Sequence, residues 1–290
     1  MKQAQESIDV YALVTNQIIS QLEQKIVPWQ QPWTSSGIPQ NLISRNPYRG
    51  VNLWLLVSLG YEHNVFITWK QLKVIGGSVN KGEKGQYVVF WKTFEKEHAQ
   101  EGNQEEQTKK SVLRYYKVFN IAQCSNIPAH FIPPIENQIF SPIAECERII
   151  EDMPQAPLIV NDEEEAYYDP KRDIINMPKP KHFKHTEQYY SVLFHELVHS
   201  TGHESRLKRK EITEKTNFAS KQYSIEELTA EIGACYLNSL TGIGNTHFKQ
   251  NVAYINGWLE ALKKDNRLII YASSKGQQAV DFIRNIPLLS

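Results

Sequence analysis

The pattern His195-Glu196-x-x-His199 is the first group in this sequence whose spacing could do chemistry. Histidines four residues apart lie one turn apart on one face of a helix, so both imidazoles can reach a single metal ion. The intervening Glu196 stands beside the first histidine, where a carboxylate can take a proton from water. The pattern alone is not decisive, since chance yields it in roughly a few per cent of chains. A third protein ligand must exist for a site that leaves one metal position open.

The stretch from Tyr190 to Gly202 reads as an amphipathic helix, with Leu193, Phe194, Leu197 and Val198 to bury. Thr186 is the expected N-cap, and Gly202 is placed to end the helix. A later helix, from Tyr223 to Leu237, carries Glu227 and Glu231 one turn apart on one face. The run Ser224-Ile225-Glu226-Glu227 is also a capping box. If the box forms, Glu231 is the third ligand. If it does not, Glu227 binds metal and Glu231 accepts a ligand imidazole N–H. Glu227 is the first choice. His203 is read as a pocket residue, because the three-histidine zinc pattern wants its last histidine where Ser205 stands.

The elements around this site follow from pattern. Helices are expected at 143–153 and in two stretches of the last 43 residues. A short strand is expected at 157–160 and a hairpin at 166–177 around Asp169-Pro170-Lys171-Arg172. The strand just ahead of the metal helix is expected to be a sheet edge able to pair with an extended peptide. The polar stretch 205–221 should cover the site.

The first half has a different character. Net charge over the 290 residues is zero, yet Gln40 to Lys92 carries seven basic residues against Glu62 and Glu83, and five of the six tryptophans lie before Lys92. An opening helix runs to Pro28, a short apolar helix covers 51–59, and a further short element starts at Phe66. The glycine-rich loop 76–85 lacks Gly-Lys-Ser/Thr and a following helix, which argues against nucleotide hydrolysis. Strands at 86–93 and 112–119 should pair, with a polar tip or disordered insertion between them.

Aromatic rings interleaved with cations suit single-stranded nucleic acid, because bases stack on rings while cations follow phosphates. The candidates are Trp29, Trp33, Tyr48 and Trp91 for stacking, with Arg45, Arg49, Lys81 and Lys84 for phosphate. The competing reading puts Trp29, Trp54, Trp69 and Phe90 in the core, and about half of the aromatics in this region are expected to be structural.

Composition, with 41% hydrophobic and 22% charged residues, is that of a globular protein. No apolar run reaches the ~18 residues that span a bilayer. The opening residues lack a secretory pattern, and Cys124, Cys146 and Cys235 show neither disulfide nor metal spacing, so a cytoplasmic protein with free thiols is expected. The proline-rich stretch 127–142 divides a first domain, 1–126, from a second, 143–290.

With these residues in hand, the whole chain resembles the ArdC-type antirestriction proteins of conjugative plasmids and related elements. The resemblance rests on Val27-Pro28-Trp29 with Pro32-Trp33, on Pro47-Tyr48-Arg49-Gly50-Val51-Asn52, and on Gly76-Gly77 with Lys81-Gly82-Glu83-Lys84-Gly85. In the second half it rests on His195-Glu196-Leu197-Val198-His199 with Thr201-Gly202-His203, and on Glu226 through Ala234. It implies an α+β fold of two domains. The first would be a single-stranded-DNA-binding domain similar to the start of a TraC-type plasmid primase. The second would be a mainly helical zincin metallopeptidase with a small antiparallel sheet. It further implies zinc, or manganese or another divalent metal, a host or regulatory protein as peptide substrate, and protection of incoming DNA from host restriction. The second half also resembles small gluzincins of the ImmA/IrrE kind, where the third ligand is a Glu four residues before Asn or Asp. Glu227 fits that frame, but Glu231 departs from it.

Overall fold

The computed structural model describes residues 9–30, 37–96, 108–133, 141–214, 221–244 and 252–287. Helix α1 (Val10–Glu23) is capped by Asp9, whose carboxylate accepts the N–H groups of Tyr11 and Ala12, and it buries Val14, Ile18 and Leu22. After a turn at Pro28–Gln30 come strand β1 (Gln40–Asn41) and helix α2 (Val51–Val57), nearly all apolar and buried. The element expected from Phe66 splits at Thr68 into β2 (Val65–Thr68) and α3 (Trp69–Val74). Thr68 forms a capping box with Gln71, which forces the change from strand to helix there.

Strand β3 (Ser78–Val79) precedes the long ribbon of β4 (Gln86–Lys96) and β5 (Thr108–Asn120), and β6 (Cys124–Ser125) pairs back with β3. The ribbon runs in unbroken antiparallel register from Gln86↔Val118 to Lys96↔Thr108. The expected pairing is therefore present and extends further into the polar stretch; the expected tip, 97–107, lies outside the described residues. The sheet order is β1-β2-β5-β4, which leaves β4 at an edge.

The second half begins with α4 (Pro142–Glu151). Strands β7 (Leu158–Val160), β8 (Tyr167–Asp169) and β9 (Ile174–Asn176) then form a sheet of order β7-β9-β8. Strand β9, just ahead of the metal helix, was expected at an edge. It is central instead, parallel to β7 and antiparallel to β8, because β7 returns to cover its other side. The edge strand next to the site is β8. Helices α5 (Thr186–Ser200), α6 (Lys210–Thr213), α7 (Lys221–Thr241), α8 (Val252–Lys264) and α9 (Leu268–Ile283) complete the described chain. No described helix is long and apolar enough to cross a membrane. The three cysteines are free.

Both halves contribute to one continuous core. Val14, Ile18, Trp29 and Trp54 of the first half join Phe194, Leu197, Leu228, Ile269 and Val280 of the second. The Trp54 ring meets Tyr236 edge-on, with centroids 6.3 Å apart. Thr15 Oγ1 donates to the Asn266 carbonyl at 2.6 Å across the same boundary.

Candidate metal centre

Helix α5 starts one residue earlier than a Thr186 cap requires. Thr186 is its first helical residue, and His185 occupies the cap position without a side-chain hydrogen bond. At the other end Thr201 caps the helix, with its hydroxyl donating to the Val198 carbonyl at 2.6 Å. Helix α7 crosses close by: a Cβ on Gly233 would stand 2.7 Å from Val198 Cγ2. Only glycine permits that approach, and the approach brings the start of α7 up to the α5 histidines.

There His195 Nε2 and His199 Nε2 lie 3.1 Å apart. The Glu227 carboxylate stands 3.8 Å from the first and 3.6 Å from the second. Ligand atoms on a tetrahedral cation with bonds of about 2.0–2.1 Å are about 3.3–3.4 Å from one another. Two imidazole nitrogens and a carboxylate that turns Oε2 to His195 and Oε1 to His199 at these separations fit a divalent metal with a position left open. These three residues are the group of metal-capable side chains found among the described residues. His203 lines the same cleft but pairs with Ser205 Oγ at 2.9 Å and lies outside the triangle.

The electrostatics favour positive charge here. Burial pulls the His195 imidazole down, but the hydrogen bond it donates to Glu227 and the charges of Glu196, Glu227 and Glu231 prevail and hold it up at about 9. Burial pushes Glu227 up, and the two imidazoles outweigh it, so the carboxyl sits below its ordinary value. A field that retains a proton on a half-buried imidazole is also one that a dication satisfies.

Two groups that pattern reading did not single out hold the ligands in place. Glu226 Oε1 lies 3.0 Å from His199 Nδ1. Burial would raise Glu226, but the Arg209 guanidinium and His199 bring it down to about 2, so it is an acceptor only. His199 Nδ1 therefore donates to Glu226, and Nε2 is the ring nitrogen left to face a metal. Arg209 grips Glu226 at 2.9 and 2.6 Å and also donates to the Thr201 hydroxyl and the Val198 carbonyl at 2.5 and 2.7 Å. It thus places a cation on the last carbonyls of α5. The chain reaches it through Gly202, where a Cβ would meet Ile212 Cγ1 at 2.6 Å.

The capping-box alternative does not hold, because α7 already begins at Lys221 and Ser224 lies inside it. Glu231 stands outside the ligand triangle and accepts from Gln30 Nε2 at 2.7 Å, while His199 Nδ1 is paired with Glu226. Glu196 is buried on α5 and lines a cleft of about 680 Å³ with Tyr167, Tyr168, His203, Tyr223 and Glu227.

The nucleic-acid candidates divide. Trp29 is fully buried in the core shared with the second half, and Tyr48 is buried edge-on to Phe66 among Leu56, Val88 and Val118 of the first, so neither ring can stack on a base. Arg49 is paired with Asp281 of α9 rather than free for phosphate. Arg45 is exposed and donates to the Phe131 carbonyl at 2.5 Å. Lys81 and Lys84 are exposed, and Trp91 is 44% exposed. Trp33 lies outside the described residues. Of the aromatics weighed as core, Trp29 and Trp54 are, whereas Trp69 and Phe90 are 50% and 42% exposed. Tyr116, 37% exposed, packs against Phe90 with centroids 5.7 Å apart.

Comparison with known proteins agrees with this arrangement. Residues 8–119 match the family described as the N-terminal domain of anti-restriction factor ArdC, and residues 144–275 match the zincin-like metallopeptidase family. The crystal structure of the antirestriction ArdC protein from plasmid R388, in its metal-free form, is 33% identical. It superposes with a TM-score of 0.74 over 97% of this chain and all of that one. The chain belongs to the ArdC antirestriction family.

The Mn(II)-bound form of R388 ArdC matches with the same identity and TM-score over 96% of this chain and 98% of that one. Another relative of similar length is protein y4eC of Sinorhizobium fredii (strain NBRC 101917 / NGR234), 33% identical over 96% of this chain and 92% of its own. DNA primase TraC of Escherichia coli is 32% identical over 93% of this chain, which spans only 26% of that protein. This ArdC-family chain thus has an N-terminal β-rich region and a mainly helical zincin-like domain with a small sheet, and it carries a site for a divalent metal.

Proposed function

We propose that this protein binds single-stranded DNA and carries a zinc peptidase site, and that together these protect incoming DNA of a conjugative element from host restriction. The observation that carries the peptidase reading is the triangle of His195, His199 and Glu227 with Glu196 beside it in an open cleft. A divalent metal held there supplies Lewis-acid polarisation of a carbonyl and a more acidic water. Glu196 takes the proton of the attacking water and passes it to the leaving amine. Glu226 and Arg209 keep His199 in the ligating tautomer. Strand β8, with Tyr167 and Tyr168 on the cleft, offers its free edge to an extended peptide, so substrate binds as an added strand.

The DNA reading moves from the buried rings to exposed ones. Trp69, Phe90, Trp91 and Tyr116 are exposed, as are the cations Lys70, Lys73, Lys81, Lys84 and Arg114, and Lys73 Nζ lies 3.8 Å from the Trp69 ring centroid, so this half offers both stacking surfaces and phosphate partners. Relatedness to part of a DNA primase supports this direction.

Conjugative transfer into a restricting host, with Glu196→Gln compared with a Lys81→Ala/Lys84→Ala variant, tests the reading. Loss of protection in both supports a combined role. Protection kept by Glu196→Gln and lost by the lysine variant would assign protection to strand binding alone.

A further inference from the structure

A cleft of about 410 Å³ lies between the outer edge of β4 and helix α9. Its walls come from both halves: Val89, Trp91 and Asn52 on one side, Ser274 and Gln278 on the other. Asn52 shows what this edge binds. Its Nδ2 donates to the Val89 carbonyl at 2.7 Å and its Oδ1 accepts the Val89 N–H at 2.7 Å, so a planar carboxamide satisfies both backbone groups.

Those bonds also fix the direction of the next backbone groups. The β4–β5 ladder has no bulge, and outward-facing residues of an antiparallel edge strand alternate. Val89 faces outward, so Trp91, two residues and about 6.8 Å further on, turns its N–H and C=O the same way, into the cleft. The Trp91 side chain is half exposed at the rim.

We infer that this cleft takes one nucleobase of a single-stranded DNA. The inference rests on the DNA reading above and adds that α9 of the second half forms part of the binding site. Each DNA base presents an acceptor beside a donor on its pairing edge, the same pattern as the Asn52 carboxamide, so the Trp91 backbone can bind any of them. An added peptide strand would have to run through Val89, whose groups Asn52 already holds; the opening suits a single planar group. The Arg49–Asp281 ion pair at the back of the cleft is already neutralised, which favours an uncharged base there over a phosphate.

The test measures binding of labelled oligothymidine to the full-length protein across a salt series. Methylation of thymine N3 removes the donor without touching the protein, and it is expected to weaken binding about 2- to 10-fold. Ser274→Phe, which fills the cleft, is expected to weaken it about 5- to 100-fold. Neither should change the slope against salt, since no phosphate contact is lost. Wild-type protein that fails to bind oligothymidine overturns the DNA reading itself. Tight wild-type binding that resists both N3 methylation and a normally melting Ser274→Phe overturns the cleft alone. An extended peptide that Ser274→Phe excludes, with strands bound as before, would give the edge to a polypeptide instead.

Discussion

Gln30 Nε2 donates to Glu231 Oε1 at 2.7 Å, and the two buried side chains are 201 residues apart. The first belongs to the half with the exposed aromatic ribbon. The second lies on α7 one turn after Glu227 and contributes to the field on His195. The two halves are therefore joined by a charged hydrogen bond as well as by a shared core.

Gln30→Leu removes that donor from a buried carboxylate and is expected to lower stability by about 1.5–3 kcal/mol. Urea denaturation followed by tryptophan fluorescence and by circular dichroism checks it. Coincident loss of both signals in one transition is also expected, since Trp29 and Trp54 share their core with Leu197 and Leu228.

Glu226→Gln should have two effects. It leaves the Arg209 guanidinium, 5% exposed, without its carboxylate partner, at a cost of about 3–5 kcal/mol, and it weakens metal binding about 10- to 100-fold by loosening His199. The pH dependence has a definite sign. Glu226 has a folded value of about 2 against an ordinary 4.5, so its stabilisation is present above pH 4.5 and disappears as pH falls toward 2. Denaturation of metal-free protein at several pH values should show the gap between wild type and Glu226→Gln closing over that window.

Gly233→Ala places a methyl group against Val198 and must separate α5 from α7. The expected cost is about 1–3 kcal/mol, accompanied by weaker metal binding, because Glu227 sits on the helix that moves. Calorimetric titration of the variant with Zn²⁺ checks this; wild-type affinity in a destabilised protein would separate the helix crossing from the site.

Lys81→Ala/Lys84→Ala should reduce the slope of log affinity against log salt for single strands by about 1.4. Phe90→Ala should weaken binding while leaving the slope unchanged. Trp29→Ala, by contrast, should act on folding, with a loss of about 3–5 kcal/mol seen in thermal melts.

What was legible in the sequence follows from the range of the interactions. His195, Glu196 and His199 lie on one helix, so the helical repeat alone brings them together. The β4–β5 pairing was legible for a similar reason, as two runs rich in valine and aromatic residues close in sequence. Glu227 could be proposed but not separated from Glu231, because the choice depends on how α7 crosses α5 at Gly233. Glu226 was assigned to a helix start that lies three residues earlier, at Lys221, and Arg209 was one cation in a polar run. Trp29 and Trp91 look alike in sequence. Only the arrival of the second half buries the one and leaves the other at an edge.

The most direct measurement is metal content and peptide hydrolysis in Glu196→Gln beside wild type and His195→Ala. The account predicts that Glu196→Gln keeps the metal of the wild type and loses hydrolysis, while His195→Ala loses both. Hydrolysis at the wild-type rate by Glu196→Gln, or full metal content in His195→Ala, would contradict it.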